Sequence, residues 1–261
     1  MNAGVATGPL SGRRALVTGG ARGIGAAIAA DLAGRGANVT IADRDGALAI
    51  ETAAEMAARG LAVQARACDL TIPAEVDALA AALPVLDILV NNAAILDATP
   101  IGRLTRATFD KVQQINQNAA LWVALAVLPK LRASGRGRIV NIASIMGLRG
   151  SADSVAYSTA KGGLVNMTRA LAVDLASDGI LVNCICPGFV DTRMAILPDG
   201  SGHEHQTDWF QDIYIKYGRV PLRRPAPPEE IARSAAFFCG DDCSYVTGQV
   251  LVVDGGLSAT F

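Results

Sequence analysis

Tyr157 and Lys161 place a phenol and an ammonium four residues apart, at the beginning of a helix-forming segment. At this spacing both side chains lie on one face of a helix, about one turn apart. A phenol with a pKa of ~10 exchanges protons poorly at neutral pH. A cation ~5 Å away, at an effective dielectric constant of ~20, contributes about 3 kcal/mol, which lowers the pKa of Tyr157 by about two units. The pair is therefore a candidate acid–base couple for chemistry such as hydride transfer to or from a carbonyl.

A hydroxyl group that suits the same chemistry comes thirteen residues before Tyr157, at Ser144. It follows the apolar run 138–142, which predicts a buried strand. Open α/β sheets bind ligands beyond the carboxyl ends of their strands. Ser144 is therefore expected to donate a hydrogen bond to a substrate oxygen as negative charge develops on that oxygen.

Glycines cluster between the first apolar run and the first helical segment, in residues 18–25 (TGGARGIG). Such a turn lets the backbone approach a pyrophosphate, whose charge meets the helix N-terminus. Asp43 ends the second apolar run, 18 positions after Gly25, near the ~20 expected for a carboxylate that binds a dinucleotide ribose. The dinucleotide contacts predicted from this pattern are Gly19, Arg22, Gly23, Ile24 and Asp43.

Asp43 also favours one of the two nicotinamide dinucleotides. Its carboxylate accepts hydrogen bonds from ribose hydroxyls but repels a 2′-phosphate. Arg22 and Arg44 are close enough in sequence to offset part of this repulsion. We therefore expect NAD as the cofactor, with NADP less favoured but not excluded.

The motifs together resemble the short-chain dehydrogenase/reductase family. The resemblance rests on the spacing G-x-x-x-G-x-G in residues 19–25, on Ser144 and on Tyr157-x-x-x-Lys161, and it extends from about residue 12 to residue 261. It implies that Lys161 also binds the nicotinamide ribose, and that Asn116 supports a water molecule linked to Lys161.

Further matches to this family follow the predicted strands in chain order. Asp69 and Leu70 resemble its adenine contact, and Asn91 begins the segment Asn-Asn-Ala-Ala, which is similar to the family's Asn-Asn-Ala-Gly. Residues 187–192 (PGFVDT) resemble the segment that meets the nicotinamide, where Val190 would use its backbone and Thr192 would bind the carboxamide or a phosphate. The cofactor contacts implied by the resemblance are Asp69, Leu70, Asn91, Tyr157, Lys161, Pro187, Gly188, Val190 and Thr192.

The substrate is less clearly indicated than the reaction. The positions expected to line its site are Ile95, Ser144, Met146, Arg149, Tyr157 and Phe189. Arg149 would suit an anionic group through bidentate pairing, but pairing with a nearby Asp or Glu is an equal alternative. An irregular segment at 191–225, rich in Pro, Gly and aromatic residues, is expected to form a substrate lid.

The polar and aromatic lid and the NAD preference favour a secondary alcohol of a sugar, polyol or sugar acid. One alternative is an NADPH-dependent 3-oxoacyl thioester reductase. Another is a catalytically silent NAD-sensing or scaffold protein, against which the intact Ser144, Tyr157 and Lys161 argue.

His203 and His205 invite a metal hypothesis, because two imidazoles two residues apart can share an ion. No third ligand has a convincing spacing in the sequence, so no metal is expected. The two histidines are expected to lie in a solvated lid tip.

Short apolar runs alternate with helical segments along the whole chain. The runs that predict strands are 15–18, 39–42, 61–68, 86–90, 138–142, 180–186 and 249–253, and the predicted helices are 24–35, 46–59, 74–83, 105–132, 157–177 and 228–239. Nearly all-apolar runs indicate strands that are buried on both faces. We expect one α/β domain over residues 1–261, a doubly wound (Rossmann-type) parallel sheet of about seven strands with helices on both faces.

Composition excludes several classes of protein. Apolar residues make up 51% of the 261 residues and the net charge is −1, which excludes disorder and disfavours nucleic acid as a partner. The apolar stretch 119–128, ended by Pro129, is about half the ~20 residues of a membrane span. No secretory signal is seen in residues 1–12, and five cysteines form no CxxC pair. We expect a cytoplasmic enzyme with a small-molecule substrate and no membrane association, and the resemblance implies a homotetramer.

Overall fold

A seven-stranded parallel sheet organises the computed structural model, which describes residues 8–197 and 199–259. The strands lie in the order β3-β2-β1-β4-β5-β6-β7, and every pairing is parallel. They are β1 Arg14–Thr18, β2 Asn38–Asp43, β3 Val63–Ala67, β4 Ile88–Asn91, β5 Arg138–Ile142, β6 Leu181–Pro187 and β7 Val250–Val253. What was expected of residues 1–7, Pro198 and residues 260–261 lies outside the described residues.

Helices cover both faces of this sheet. They are α1 Gly23–Gly34, α2 Gly46–Ala58, α3 Pro73–Ala82, α4 Arg106–Gln113, α5 Ala119–Ser134, α6 Val155–Asp174, α7 Asp208–Phe210 and α8 Pro228–Cys239. Neighbouring strand residues point to opposite faces. Accordingly, Val17 of β1 packs in one core with α1, α2 and α8, whereas Leu16 packs in another with α3, α5 and α6. The predicted α/β fold is confirmed.

The two edge strands differ from the prediction that every strand is buried on both faces. None of the residues of β3 or β7 is fully buried, and Gln64 and Arg66 of β3 are exposed. These strands close the two sides of the sheet, so each has a strand neighbour on one side only. The prediction was right for the inner strands and wrong for the edges.

The helix predicted over 105–132 is interrupted. A π-helical segment, Gln114–Asn118, separates α4 from α5. Within it, the side-chain amide of Asn116 pairs with the backbone of Ile95, donating to the carbonyl and accepting from the N–H, both at 2.8 Å. This contact joins the wide turn to the segment that follows β4, and such π-bulges are frequent at functional sites.

Residues 191–225 leave the alternation of strands and helices after β6. They contain the short helical turns Arg193–Ala195, Glu204–Gln206 and Gln211–Lys216 in addition to α7. A bridge between Val190 and Ala226 closes the excursion at its base. In the described ranges, no helix is long and apolar enough to cross a membrane.

A chain of buried polar side chains connects the middle of the sheet to α6. Asn91 donates to Asn141 at 2.9 Å, Asn141 donates to the hydroxyl of Thr168 at 2.9 Å, and Thr168 donates to the carbonyl of Leu164. Asn141 and Thr168 are fully buried. A buried polar group that loses its partner keeps its full desolvation cost, so this chain fixes α6 relative to β4 and β5.

Thr168→Val should therefore lower the free energy of unfolding by about 1–3 kcal/mol, because it leaves the Asn141 amide without its acceptor. Urea denaturation at neutral pH measures the change. Thr168→Ser keeps the hydroxyl and serves as the matched control, so it should retain most of the stability. Equal losses in the two variants would show that the hydroxyl is unimportant.

Candidate active site

A cleft of about 540 Å³ opens at the carboxyl ends of β1, β2 and β4. It lies where the strand order reverses between β1 and β4, the position at which open α/β sheets bind ligands. The predicted site residues that line it are Gly19, Arg22, Gly23, Ile24, Asp43, Asp69, Leu70, Ile95 and Thr192. The structure thus brings together residues that the sequence separates by as much as 173 positions, from Gly19 to Thr192.

The glycine turn between β1 and α1 can cradle a pyrophosphate. A Cβ atom on Gly25 would lie 2.1 Å from the carbonyl oxygen of Gly19, so only glycine permits this close turn. Helix α1 begins at Gly23, and its N-cap residue Arg22 makes no capping bond with its side chain. The first N–H groups of α1 are therefore available to phosphate oxygens, as they are in dinucleotide-binding folds.

The Asp43 carboxylate is held in place at the adenosine end of this cleft. One of its oxygens accepts from the backbone N–H of Ala21 at 3.2 Å and the other from that of Asp45 at 3.0 Å. Arg22, expected to offset the charge of Asp43, is instead ion-paired with Asp45. The negative charge at Asp43 is thus fixed and only partly compensated by Arg22.

Ser144, Tyr157 and Lys161 converge beyond the end of β5. Ser144 caps the turn Ile145–Gly147, accepting from the N–H of Met146 at 3.1 Å. This turn packs directly on α6, since a Cβ on Gly147 would lie 2.7 Å from the backbone of Lys161. The close approach brings the Ser144 hydroxyl beside the Tyr157 phenol, whose pKa it acts to lower.

Burial dominates the electrostatics of this group. It raises the pKa of Tyr157 to about 12, although the hydrogen bond from Ser144 acts in the opposite direction. Burial also lowers the pKa of Lys161 to about 8. The Lys161 ammonium donates to the carbonyl of Ile142 at 2.8 Å and lies 5.8 Å from the centroid of the Tyr157 ring. The expected lowering of the pKa of Tyr157 is therefore wrong for this structure, because burial disfavours the phenolate more than Ser144 favours it.

Asn116 acts on the cleft through Ile95. Both ends of its side-chain amide are bonded to the Ile95 backbone, so the side chain of Asn116 is engaged within the chain. Ile95 in turn packs against Ala156 and Ala160 of α6, the helix that carries Tyr157 and Lys161. Asn116 therefore positions a cleft residue relative to the catalytic helix.

Other expected cofactor contacts, Tyr157 and Lys161 among them, lie outside the cleft lining. The side chain of Asn91 points into the interior towards Asn141, and the cleft is lined instead by the next residues, Asn92, Ala93 and Ala94. Pro187, Gly188 and Val190 lie at and just beyond the end of β6, where the N–H of Gly188 donates to Val253. The sequence analysis missed cleft residues that carry no strand-end motif, namely Lys111, Gln114, Ile115, Arg193 and Met194.

Arg149, which was expected to suit an anionic substrate, and two basic residues of the lid all have partners within the chain. Arg149 donates to the backbone carbonyl of Ser258 at 3.0 Å. Arg224 pairs with Glu230 through two hydrogen bonds, and Lys216 pairs with Asp212. The alternative of pairing with Asp or Glu thus holds for Arg224 and Lys216, whereas the partner of Arg149 is a backbone carbonyl.

The lid has an aromatic core to which Phe189 belongs. The Phe189 ring lies 4.6 Å from Tyr214, 4.9 Å from Phe210 and 5.9 Å from His205, measured between centroids. His205 is only 7% exposed, so the expectation of a solvated tip is wrong for this residue. The structure also places Asp191 beside both histidines, which supplies the third potential metal ligand that the sequence pattern lacked. Met146 is half-buried on the turn after Ser144.

The chain is similar to known oxidoreductases along nearly its whole length. A family model described as enoyl-(acyl carrier protein) reductase matches residues 19–258. The 3-oxoacyl-(acyl-carrier-protein) reductase of Chlamydia trachomatis is 37% identical over 258 residues, covering 97% of this chain and 100% of that protein. Galactitol 2-dehydrogenase of Agrobacterium fabrum is 37% identical over 260 residues, covering 95% of this chain and 98% of that protein.

A solved structure shows the same likeness in three dimensions. It is a protein from Beutenbergia cavernae described as an NAD(P)-dependent gluconate 5-dehydrogenase with NADP bound at low occupancy. The TM-score is 0.88 and the identity 35%, and the match covers 98% of this chain and 100% of that one. The two proteins are therefore similar in both fold and amino-acid sequence.

The lowered pKa of Lys161 predicts how stability depends on pH. The folded protein releases this proton near pH 8, whereas the unfolded chain holds it to about pH 10.4. Between these values the unfolded state binds more protons, so the folded state gains stability as the pH rises. Relative to Lys161→Met, the wild type should gain up to about 1.4 kcal/mol per pH unit above pH 8. Urea denaturation of both proteins from pH 7 to 9.5 measures it, and a flat or falling difference would contradict the burial argument.

Proposed function

Because the chain belongs to the short-chain dehydrogenase/reductase family and is an NAD(P)-dependent oxidoreductase acting on CH–OH groups, we propose that it interconverts a secondary alcohol and a ketone of a sugar, polyol or sugar acid. The observation that carries the proposal is the convergence of Ser144, Tyr157 and Lys161 at helix α6, which packs against Ile95 of the cleft lining. We further propose that NAD is the preferred cofactor.

The catalytic roles follow from the chemistry of the three side chains. When bound, the dinucleotide supplies the acceptor or donor of the hydride. In its phenolate form Tyr157 would take the hydroxyl proton during oxidation, and as the phenol it would give that proton to the substrate oxygen during reduction. Ser144 donates a hydrogen bond to the substrate oxygen, and the ammonium of Lys161, protonated for the most part at pH 7 given its pKa of about 8, stabilises the phenolate. Asn116 contributes by fixing Ile95 at the edge of the cleft.

The cofactor would be held by groups along the cleft. The glycine turn with Arg22 and Ile24 receives the pyrophosphate, and Asp69 with Leu70 receives the adenine. Asn91 would contribute through its backbone, as would Pro187, Gly188 and Val190 near the nicotinamide, where Thr192 lines the cleft.

The preference for NAD rests on Asp43. Its carboxylate is held by two backbone N–H groups, so it cannot turn away from a 2′-phosphate without losing both bonds. The related structure from Beutenbergia cavernae holds NADP, and Arg44 also lines the cleft of this chain. The alternative is that the enzyme uses both NAD and NADP, with the fixed charge of Asp43 opposing NADP.

The substrate class is supported by the lid and by the relatives. Residues 191–225, which we propose as the substrate lid of a single dinucleotide-binding domain, combine an aromatic core with polar groups. Ile95, Met146 and Phe189 would line the substrate site between lid and cleft. Galactitol and gluconate dehydrogenases are among the relatives. The second candidate, an NADPH-dependent 3-oxoacyl thioester reductase, is favoured by the relative from Chlamydia trachomatis.

We also propose a cytoplasmic homotetramer. On α5, Trp122 is 52% exposed and Leu125 is 48% exposed, and both line a shallow apolar groove with Leu70 and Pro73. An exposed tryptophan in an apolar groove is typical of a subunit contact. All five cysteines are buried and free, which fits a reducing compartment.

Tyr157→Phe should abolish turnover, with a loss of at least about 100-fold in kcat, because it removes the proton-transferring hydroxyl. Binding of the reduced cofactor, measured by fluorescence titration, should change little, since the ring and its packing remain. Ser158→Ala is a matched control on the same helix, whose hydroxyl is bonded to Ser154. Substantial turnover in Tyr157→Phe would remove Tyr157 from the mechanism.

Asp43→Asn should narrow the preference for NAD over NADP by about tenfold or more, because it removes the charge that repels the 2′-phosphate. The amide oxygen can still accept one backbone N–H, so the turn should persist. The ratio of kcat/KM for the two cofactors measures the effect. If Asp43→Asn and the wild type show the same ratio, charge repulsion at Asp43 does not select the cofactor.

A substrate panel tests the proposal directly. Purified enzyme is assayed with sugars, polyols, sugar acids and 3-oxoacyl thioesters, each with both cofactors, by nicotinamide absorbance. We expect the highest kcat/KM with NAD and a sugar, polyol or sugar acid. Fastest turnover of thioesters with NADPH would establish the second candidate. Cofactor binding without turnover of any substrate would instead support a silent NAD-sensing protein.

A further inference from the structure

We propose that Asp191, His203 and His205 form a binding site for a divalent transition-metal ion such as Zn²⁺, at the base of the lid. The three residues contribute a carboxylate and two imidazoles, and one ligand atom from each lies within 4.8 Å of the other two. The site is separate from the catalytic group and takes part in no step of the proposed reaction.

The distances suit a tetrahedral ion. The Nε2 atom of His203 lies 3.2 Å from a carboxylate oxygen of Asp191. Two ligand atoms that are each ~2.1 Å from a tetrahedral ion lie ~3.4 Å apart. Asp191 and His203 therefore already have nearly the separation that a shared Zn²⁺ requires. The carboxylate of Asp191 is largely exposed, which gives an ion a path from solvent.

Hydrogen bonds alone leave this cluster incomplete. The Nδ1 atom of His203 accepts from the backbone N–H of His205 at 3.3 Å, and Nε2 lies 3.1 Å from the carbonyl oxygen of Thr192. Nε2 therefore carries the proton, which a metal would displace. The Nδ1 atom of His205 is buried and has no hydrogen-bond partner, and His205 is only 7% exposed. A buried ring nitrogen without a partner costs free energy of folding. The imidazole of His203 lies beside that of His205, with ring centroids 4.6 Å apart, and a metal ion between the rings would supply a partner.

The donor set selects the class of ion. Imidazole nitrogens favour Zn²⁺, Ni²⁺ or Cu²⁺, whereas Mg²⁺ and Ca²⁺ prefer oxygen ligands. Two histidines and one carboxylate leave a fourth tetrahedral position open to water. Packing of His205 against Phe210, with ring centroids 4.7 Å apart, holds that ligand in place.

Metal binding would link two parts of the lid. Asp191 follows β6, and its backbone N–H donates to Ala226 at the closing end of the excursion. The two histidines belong to the lid. An ion shared by these residues would therefore link the turn that carries the two histidines to the start of the lid, where Thr192 lines the cofactor cleft. The lid should open less often when the ion is bound.

The test uses the untagged, chelator-treated full chain and Zn²⁺ alone. Competition against a chromophoric chelator measures affinity and stoichiometry for the wild type, Asp191→Asn and His205→Phe. Asp208→Asn, which changes an exposed lid carboxylate outside the cluster, is the matched control. We expect one Zn²⁺ per chain in the wild type and control. Loss of even an outer partner of a metal ligand costs ~10- to 100-fold in affinity, so each ligand variant should lose at least about 100-fold.

Two further readouts distinguish this site from other zinc-binding groups and from unfolding. Bound Co²⁺ should show no thiolate charge-transfer band, which excludes the cysteines as ligands. Trypsin should cleave the lid at Arg193 or Lys216 more slowly with Zn²⁺ in the wild type, with no such protection in the variants. Binding of reduced cofactor verifies that each variant is folded. Equal Zn²⁺ affinity in wild type and both ligand variants, or no stoichiometric binding to the wild type, would overturn the proposal.

Discussion

The burial of one ammonium group is the constraint on which the active site depends. Lys161 is 2% exposed, and its charge is tolerated because the ammonium donates a hydrogen bond to the carbonyl oxygen of Ile142, at the end of β5, at 2.8 Å. A buried cation without such a partner would be neutralised or would destabilise the fold. The end of β5, the turn after it and the start of α6 must therefore stay in register, and that register also brings Ser144 to Tyr157.

The sheet topology places this buried group beside the cofactor cleft. Reversal of the strand order between β1 and β4 opens the cleft, and β5 is the next strand beyond β4. The close approach of Gly147 to the backbone of Lys161 leaves no room for a side chain at position 147. On the other side, Asn116 holds Ile95 against α6 at the cost of a π-bulge. The glycine turn and the π-helical segment thus both occur where another element packs closely against α6.

Much of the fold was predictable from local pattern, and the site only in part. The bounds of β5 and α8 were predicted to the residue, because short apolar runs and a Pro-initiated helix are local signals. The π-bulge at Asn116 was not, because its cause is a contact 21 residues away. The pKa of Tyr157 was predicted in the wrong direction, since spacing gives the distance to Lys161 but not the depth of burial. Asp191 was not predicted as a neighbour of the histidines, because only the folding of the lid brings it beside them.

Residues 191–225 combine paired charged groups with an aromatic interior. Arg224 and Lys216 have acidic partners, and Arg149 is bonded to a backbone carbonyl. The fixed interior of the lid is instead aromatic, centred on Phe189 and Phe210. Phe189 belongs to the segment after β6, so the lid core continues directly into the sheet. Residues 191–225 therefore contribute packed rings to the interior of the fold, whereas the charges of Arg224 and Lys216 are paired at its surface.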